Sequence, residues 1–148
     1  MTDKIVKYSE EKNPSTGKIT GQWISDPNGN ILIVYQTSER NTEGVVYNAR
    51  SFEDAFFHIN RKLFTDLSGN NVEEKITTCE KLYQGLKNIK DIFNTDKDSF
   101  HLAQKCVNKK PSLAMDILLN SKSDGSRDFI NWEIPSYIKE GLIWLQKN

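Results

Sequence analysis

Apolar positions along the chain follow two regimes. Up to residue 49 they come as short runs between turn-forming residues, and from residue 52 onward they recur three and four apart. The first regime predicts strands and the second amphipathic helices. The segment "KITGQWISDPNGNILIVYQ" (residues 18–36) reads as a β-hairpin, because Asp26-Pro27 and Asn28-Gly29 place strong turn formers between two apolar runs. Within it "ILIVYQ" (31–36) is almost continuously apolar, the pattern of a strand covered on both faces. "TSERNTEG" (37–44) reads as a polar loop and "VVYNA" (45–49) as a further short strand. Residues 1–18 carry no period and read as a loosely ordered segment, with "NPSTG" as a turn or linker.

The helical regime opens at "ARSFEDAFFHIN" (49–60). Ser51 is a good N-cap, and Asp54 three residues later makes a close relative of the capping box. Ala55, Phe56, Ile59, Leu63 and Phe64 form the apolar stripe, and "DLSGNN" (66–71) ends the helix. A second helix is predicted over 72–93, with Ile76, Cys79, Leu82, Tyr83 and Leu86 on one face and Gly85 as its weak point. "DSFHLAQKCV" (98–107) is a third. Pro111, tolerated in a first turn, opens a fourth at 111–120. "SKSDGSRD" (121–128) is a loop. An amphipathic helix over 134–146 closes the chain, with Tyr137, Ile138, Leu142 and Leu145 predicted inward.

Strands followed by helices predict an α+β fold: a small sheet of two to four strands, built from the N-terminal hairpin plus a short strand, packed by four to five helices. One domain over 19–148 follows the segment 1–18, and a chain of 148 residues suits a single domain. So few strands can hardly cover this many helices. The shortfall predicts that the chain is part of a larger body or packs on a partner.

Composition narrows the chemistry. Lys+Arg and Asp+Glu balance at 20 each, so net charge points to neither a nucleic acid nor a membrane. The start "MTDKIVKYSEEK" has no apolar run and no later stretch is long enough to span a bilayer, which predicts a cytoplasmic chain with no membrane partner. Cys79 and Cys106 stand outside any CxxC pattern and read as buried free thiols. "STGKIT" (15–20) lacks the leading glycine of a phosphate loop and precedes a strand, so no ATP site is expected in this chain. His58 and His101, the only histidines, read as surface or half-buried helix residues rather than bases or metal ligands.

Two features remain. Glu53 and Asp54 lie in a first helical turn, where acids complement the helix dipole. Alternatively, Glu53 follows the end of a strand, a place ligand sites favour, and is one ligand of a divalent metal. In "QKCVNKKPS" (104–112), Lys105, Lys109 and Lys110 precede a helix start. They are either an ordinary solvated loop or candidate contacts for a nucleic-acid phosphate backbone.

Three stretches together carry a resemblance: "VVYNARSFEDAFFHIN", then "KKPSLAMDILLN", then "WEIPSYIKEGLIWLQ". In order and rough spacing they resemble the end of the OLD-family (overcoming lysogenization defect) ATP-dependent endonucleases, a group that includes the nuclease of the Gabija phage-defence system. The likeness covers about residues 31–147 and implies the C-terminal half of a Toprim nuclease domain, which cleaves DNA with Mg²⁺ or Mn²⁺. Carried over residue by residue, it implies Glu53 as a metal ligand or organiser of metal-bound water. Ser51 becomes the helix cap beside the site, and Lys110 the residue that stabilises charge on the phosphate, with Lys109 as its substitute. The chain departs from the pattern where it lacks the family's ATPase domain and early Toprim glutamate. Asp3 is a candidate remnant of the family's Asp-x-Asp pair, but Ile5 stands in the second place, and Pro111 replaces a hydroxyl residue beside the lysine. Two functions are therefore expected. One is a fragment or split subunit of such an endonuclease, incomplete alone and completed by an ATPase or nuclease partner chain. The other is a non-catalytic interaction module, derived from a degenerate Toprim domain, that binds a partner protein.

Overall fold

The computed structural model describes residues 7–16, 19–25 and 32–147. The fold is α+β, with small antiparallel sheets first and six helices after them among the described residues. Strand β1 (Lys7–Lys12) pairs antiparallel with β2 (Ile19–Ser25), from Lys7 opposite Ser25 to Lys12 opposite Ile19, with a register shift at Glu11/Lys12. Between them the Asn13 side chain accepts the backbone N–H of Ser15 (2.9 Å) and Thr16 (3.1 Å), closing the turn that "NPSTG" predicts. β1 falls in the segment for which the pattern predicts no strand. β2 pairs in turn with β3 (Leu32–Ile33), and the turn predicted at 26–30 lies outside the described residues.

The apolar run 31–36 is not a doubly covered strand. Among its described residues only two pair, and Ile33 is 48% exposed. Val34 leaves the ladder to pack in a small cluster with Ala49, Ala55 and Tyr137. The run is apolar because it meets the closing helix, where a Cβ on Gly141 would lie 3.2 Å from the Val34 Cγ2. The predicted loop 37–44 also holds a strand, β4 (Ser38–Arg40), which forms a hairpin with β5 (Val46–Asn48). Asn41 makes that turn by accepting the N–H of Glu43 (3.0 Å) and Val45 (2.9 Å), and Gly44 supplies a φ of 83°. Glu39, polar and central in β4, is buried because its carboxylate accepts the Ser136 N–H (2.7 Å) and hydroxyl (2.8 Å) at the start of the closing helix.

Helix α1 (Phe52–Thr65) is the spine of the core. Its inward face carries Phe56, Leu63 and Phe64 as predicted, and Phe57 in addition. The Phe64 ring meets that of Tyr83 edge-on at 4.9 Å between centroids and that of Phe57 at 5.2 Å. The single helix predicted over 72–93 is two: α2 (Val72–Leu82) and α3 (Ile89–Phe93). The break has a steric cause at Gly85, where a Cβ would stand 2.2 Å from the Leu113 backbone nitrogen. Asn88, in the left-handed region at φ 50°, then turns the chain into α3. Arg61 of α1 clasps the next connection by donating to the carbonyls of Ile92 (2.9 Å), Lys97 (2.7 Å) and Asn94. Helix α4 (Ser99–Cys106) packs along α1 and buries Leu102 and Cys106.

Helix α5 (Lys110–Leu119) begins on the break at Gly85, whose carbonyl accepts the N–H of Asn108 (2.9 Å) and Lys109 (3.1 Å). The Gly85 N–H in turn donates to the Asp116 carboxylate (2.8 Å). Helix α6 (Ser136–Lys147) buries Tyr137, but Leu142 and Leu145, predicted inward, are 47% and 64% exposed. No helix among the described residues is long and apolar enough to cross a membrane.

Candidate functional site

The start of α1 and the start of α5 come together. α1 begins there because Ser51 caps it, its Oγ accepting the Asp54 N–H at 3.1 Å. α5 begins there because Gly85 anchors residues 108 and 109 and Pro111 follows in the first turn. The result joins Glu53 and Lys110, two residues taken from separate motifs, with Lys110 Nζ 2.5 Å from Glu53 Oε1. The lysine side chain is 72% exposed and the glutamate 20%.

The pair stands at the mouth of an apolar cleft of about 240 Å³. Phe52, Phe56 and Phe57 from α1, Leu113, Ala114 and Leu118 from α5, and Trp132 from the following loop form its walls. Trp132 is fixed by its indole N–H, which donates to Ser121 Oγ (2.9 Å), and by the Phe56 ring at 6.0 Å. Partial burial pushes the Glu53 carboxyl up. The hydrogen bond and charge of Lys110, the residue's own backbone N–H and the Ser51 hydroxyl outweigh that and hold it below the ordinary glutamate value.

The residues around Glu53 divide the motif's work. The Arg50 guanidinium lies over the Phe100 ring at 4.2 Å. Phe52 opens onto the cleft and is 45% exposed. Asp54, one helical step from Glu53, does not line the cleft and is fully buried. Its Oδ2 accepts the Tyr47 hydroxyl (3.0 Å) and the Arg50 N–H (2.9 Å), and its Oδ1 the Ser99 hydroxyl (2.6 Å). In a capping box the third acid reaches back to the cap residue's own N–H. Here it reaches one residue further and also ties β5 and α4 to the start of α1. The helix-dipole reading therefore misses the role of Asp54, and the signal that could have found it is the tyrosine two residues inside the preceding strand.

Of the other lysines, Lys105 is in the last turn of α4 and Lys109 is the N-cap of α5, both exposed. Val107, between them in the sequence, lines the cleft, and Lys110 is the one lysine among its lining residues. His58 sits half-buried with Nε2 3.1 Å from the Val45 carbonyl, and His101 pairs with Asp91 (2.9 Å), a contact linking α4 to α3 that sequence spacing did not reveal. Cys79 and Cys106 are buried free thiols. Asp3 and Ile5 lie outside the described residues.

A hard divalent cation needs several oxygen donors. Among the described residues no three His, Cys, Asp or Glu side chains group to hold one, and Glu53 is the sole acid lining the cleft. With its carboxylate engaged by Lys110, this donor set does not fit Mg²⁺ or Mn²⁺ unless further ligands come from elsewhere. No family model matches the chain, and neither the curated proteins nor the solved structures searched contain a match.

Proposed function

We propose that this chain is the C-terminal half of a Toprim-like nuclease domain of the OLD-family type, a fragment or split subunit that contributes Glu53 and Lys110 to a DNA-cleaving site completed by another polypeptide. The observation that carries the reading is the contact of Glu53 with Lys110. The resemblance selects these residues independently, from motifs on separate helices, and a chance likeness gives no reason for them to meet. Lys110 keeps most of its surface in solvent, so its ammonium can meet a phosphate oxygen while Glu53 fixes its position. The remaining carboxylates, and with them any Mg²⁺ or Mn²⁺, belong to the completing polypeptide.

The test is complementation. The chain is mixed with a polypeptide carrying an ATPase and the acidic first half of a Toprim domain, and supercoiled plasmid is assayed with Mn²⁺. Nicking is expected only in the mixture, and Glu53→Ala or Lys110→Ala each abolishes it. Nicking that neither substitution affects, or a mixture as inert as its parts, sinks the reading.

The apolar cleft favours a second reading, a degenerate Toprim remnant that acts as a non-catalytic interaction module. A water-filled nuclease groove has no need of three phenylalanines and a tryptophan at its side, whereas a protein-docking surface does.

A further inference from the structure

We propose that the cavity between the end of α1, the end of α2 and the loop after α5 binds a small organic anion. A carboxylate or phosphate oxygen of the ligand accepts the Tyr83 hydroxyl and faces Lys122, and a hydroxyl or amino group of the ligand donates to Asn120 Oδ1. The cavity shares no lining residue with the cleft between α1 and α5 and rests on neither reading of function.

Its walls are built before any ligand arrives. The cavity encloses about 450 Å³, within the range of small-molecule sites. The Thr78 hydroxyl donates to the Glu74 carbonyl (2.9 Å). The Asn131 amide donates to the Asn120 carbonyl (3.2 Å), and its oxygen accepts the Lys122 N–H (2.8 Å). The Asn120 amide spends its hydrogens on the carbonyls of Leu82 (3.0 Å) and Asp116 (2.8 Å). That fixes which end of the amide is oxygen, and Asn120 Oδ1 takes no donor among the described residues.

Tyr83 decides the chemistry. It is 2% exposed, and its ring meets Phe64 edge-on. Its hydroxyl has no hydrogen-bond partner among the described residues. None of their buried polar atoms is both unpartnered and sealed from solvent, so this hydroxyl reaches solvent through the cavity that Tyr83 lines. Burial pushes the phenol up to about 12, so it stays a donor at neutral pH.

Charge selects the ligand. Lys62, Lys122 and Asp66 are the charged residues of the wall. Lys62 and Asp66 stand one helical turn apart and can neutralise each other, which leaves Lys122 in surplus. Asp124 is spent on the N–H groups of Ser126 (3.0 Å) and Arg127 (2.8 Å). Asp116 lies outside the wall, bound to the Gly85 N–H. A buried phenol donor and an unmatched ammonium in one cavity suit an oxyanion and repel a cation.

The experiment titrates the whole ¹⁵N-labelled chain with glycerol 3-phosphate, lactate and uncharged glycerol, reading Kd from amide shifts around the cavity. At least one of the two anions is expected to bind, with glycerol roughly tenfold weaker or worse. Binding of glycerol 3-phosphate alone assigns a phosphate ligand, and of lactate alone a carboxylate. Tyr83→Phe and Lys122→Gln each weaken binding roughly tenfold. Tyr83→Phe also leaves the urea midpoint unchanged, because the hydroxyl it removes has no partner within the protein. Failure of both anions to bind, glycerol binding as well as they do, or wild-type affinity in Tyr83→Phe overturns the inference. So does a lowered midpoint in Tyr83→Phe, which would mean that the hydroxyl is already bound within the chain.

Discussion

The Asp54→Ala substitution separates two physical accounts of one residue. If Asp54 only complements the α1 dipole, its loss costs about 0.3–1 kcal/mol, the range for an acid in a first helical turn. The geometry demands more. Its carboxylate is fully buried and accepts from Tyr47 Oη, the Arg50 N–H and Ser99 Oγ, so alanine strands three donors contributed by β5, the helix lead-in and α4. A donor left without an acceptor costs about 1–3 kcal/mol when buried. All three are only part-buried, so the lower end applies to each and the sum is about 3 kcal/mol. With a urea m-value near 2 kcal/mol/M, the midpoint falls by roughly 1.5 M at unchanged m. Asp54→Asn keeps one acceptor and turns the other into a donor facing donors, so it recovers about half of the loss. Tyr47 provides an internal check. Burial, and after it the Asp54 carboxylate, hold its hydroxyl above the ordinary value of 10.0, so its titration midpoint moves down in Asp54→Ala. A loss under about 1 kcal/mol with Tyr47 unmoved would falsify the buried-hub account and leave a dipole acid.

Three further outcomes follow from the packing. Gly85→Ala drives a Cβ to 2.2 Å from the Leu113 nitrogen, a backbone atom that cannot yield without moving α5, so stability falls by about 3 kcal/mol in urea denaturation; a loss below about 1 kcal/mol means α5 is not docked there. Burial pushes the Cys79 thiol up to about 12 and the Cys106 thiol up to about 11, so neither reacts with Ellman's reagent at pH 8 in the folded chain and both react on adding urea; prompt native-state release of thionitrobenzoate counts against their burial. Glu53 has a folded pKa below its ordinary 4.5, so the stability it contributes is present above that value and lost as pH falls through the lowered one. Lys110→Met therefore weakens the acid-side decline of stability below pH 4.5, and an unchanged profile shows that Lys110 does not hold the carboxylate.

The helices were legible because their signals are local. Ser51, the i, i+3, i+4 stripe through Phe64 and Pro111 in a first turn act within a few residues, and each does in the fold what its pattern predicts, except that Ile59 of the stripe is only half-buried. Where prediction went astray, the deciding contact was distant. β4 hides in a polar stretch because its central Glu39 is satisfied by Ser136, far along the chain. The run 31–36 imitates a buried strand because Val34 meets Gly141 of α6. Gly85 marked a weakness in a helix, but its meaning as a break depends on Leu113 standing against it. The pattern predicts Leu142 and Leu145 inward, yet both are exposed, because amphipathic periodicity reports that a face is apolar, not what covers it.

The candidate site was legible as residue types and not as an arrangement. Glu53 and Asp54 are adjacent acids in one first turn, and composition gives no reason to treat them differently. A helix turns each successive residue by about 100°, so neighbours face different surroundings. Asp54 faces the junction of β5, α1 and α4 and is spent on three protein donors. Glu53 faces outward, where its one basic partner is the mostly exposed Lys110. The two acids thus divide the labour: the buried one sets the position and angle of the helix start, and the half-buried one is carried to the mouth of the cleft. A carboxylate held this way is pre-positioned without being complete. One acid paired with one lysine can orient a phosphate or receive a partner's side chain, but several converging carboxylates are needed to hold the ions of a metal-dependent nuclease. That gap, together with the apolar face of α5 on which Met115, Leu118 and Leu119 stand exposed, makes the same demand from two directions, electrostatic and hydrophobic. Under the proposed function, both are met by a second polypeptide placed across α1 and α5.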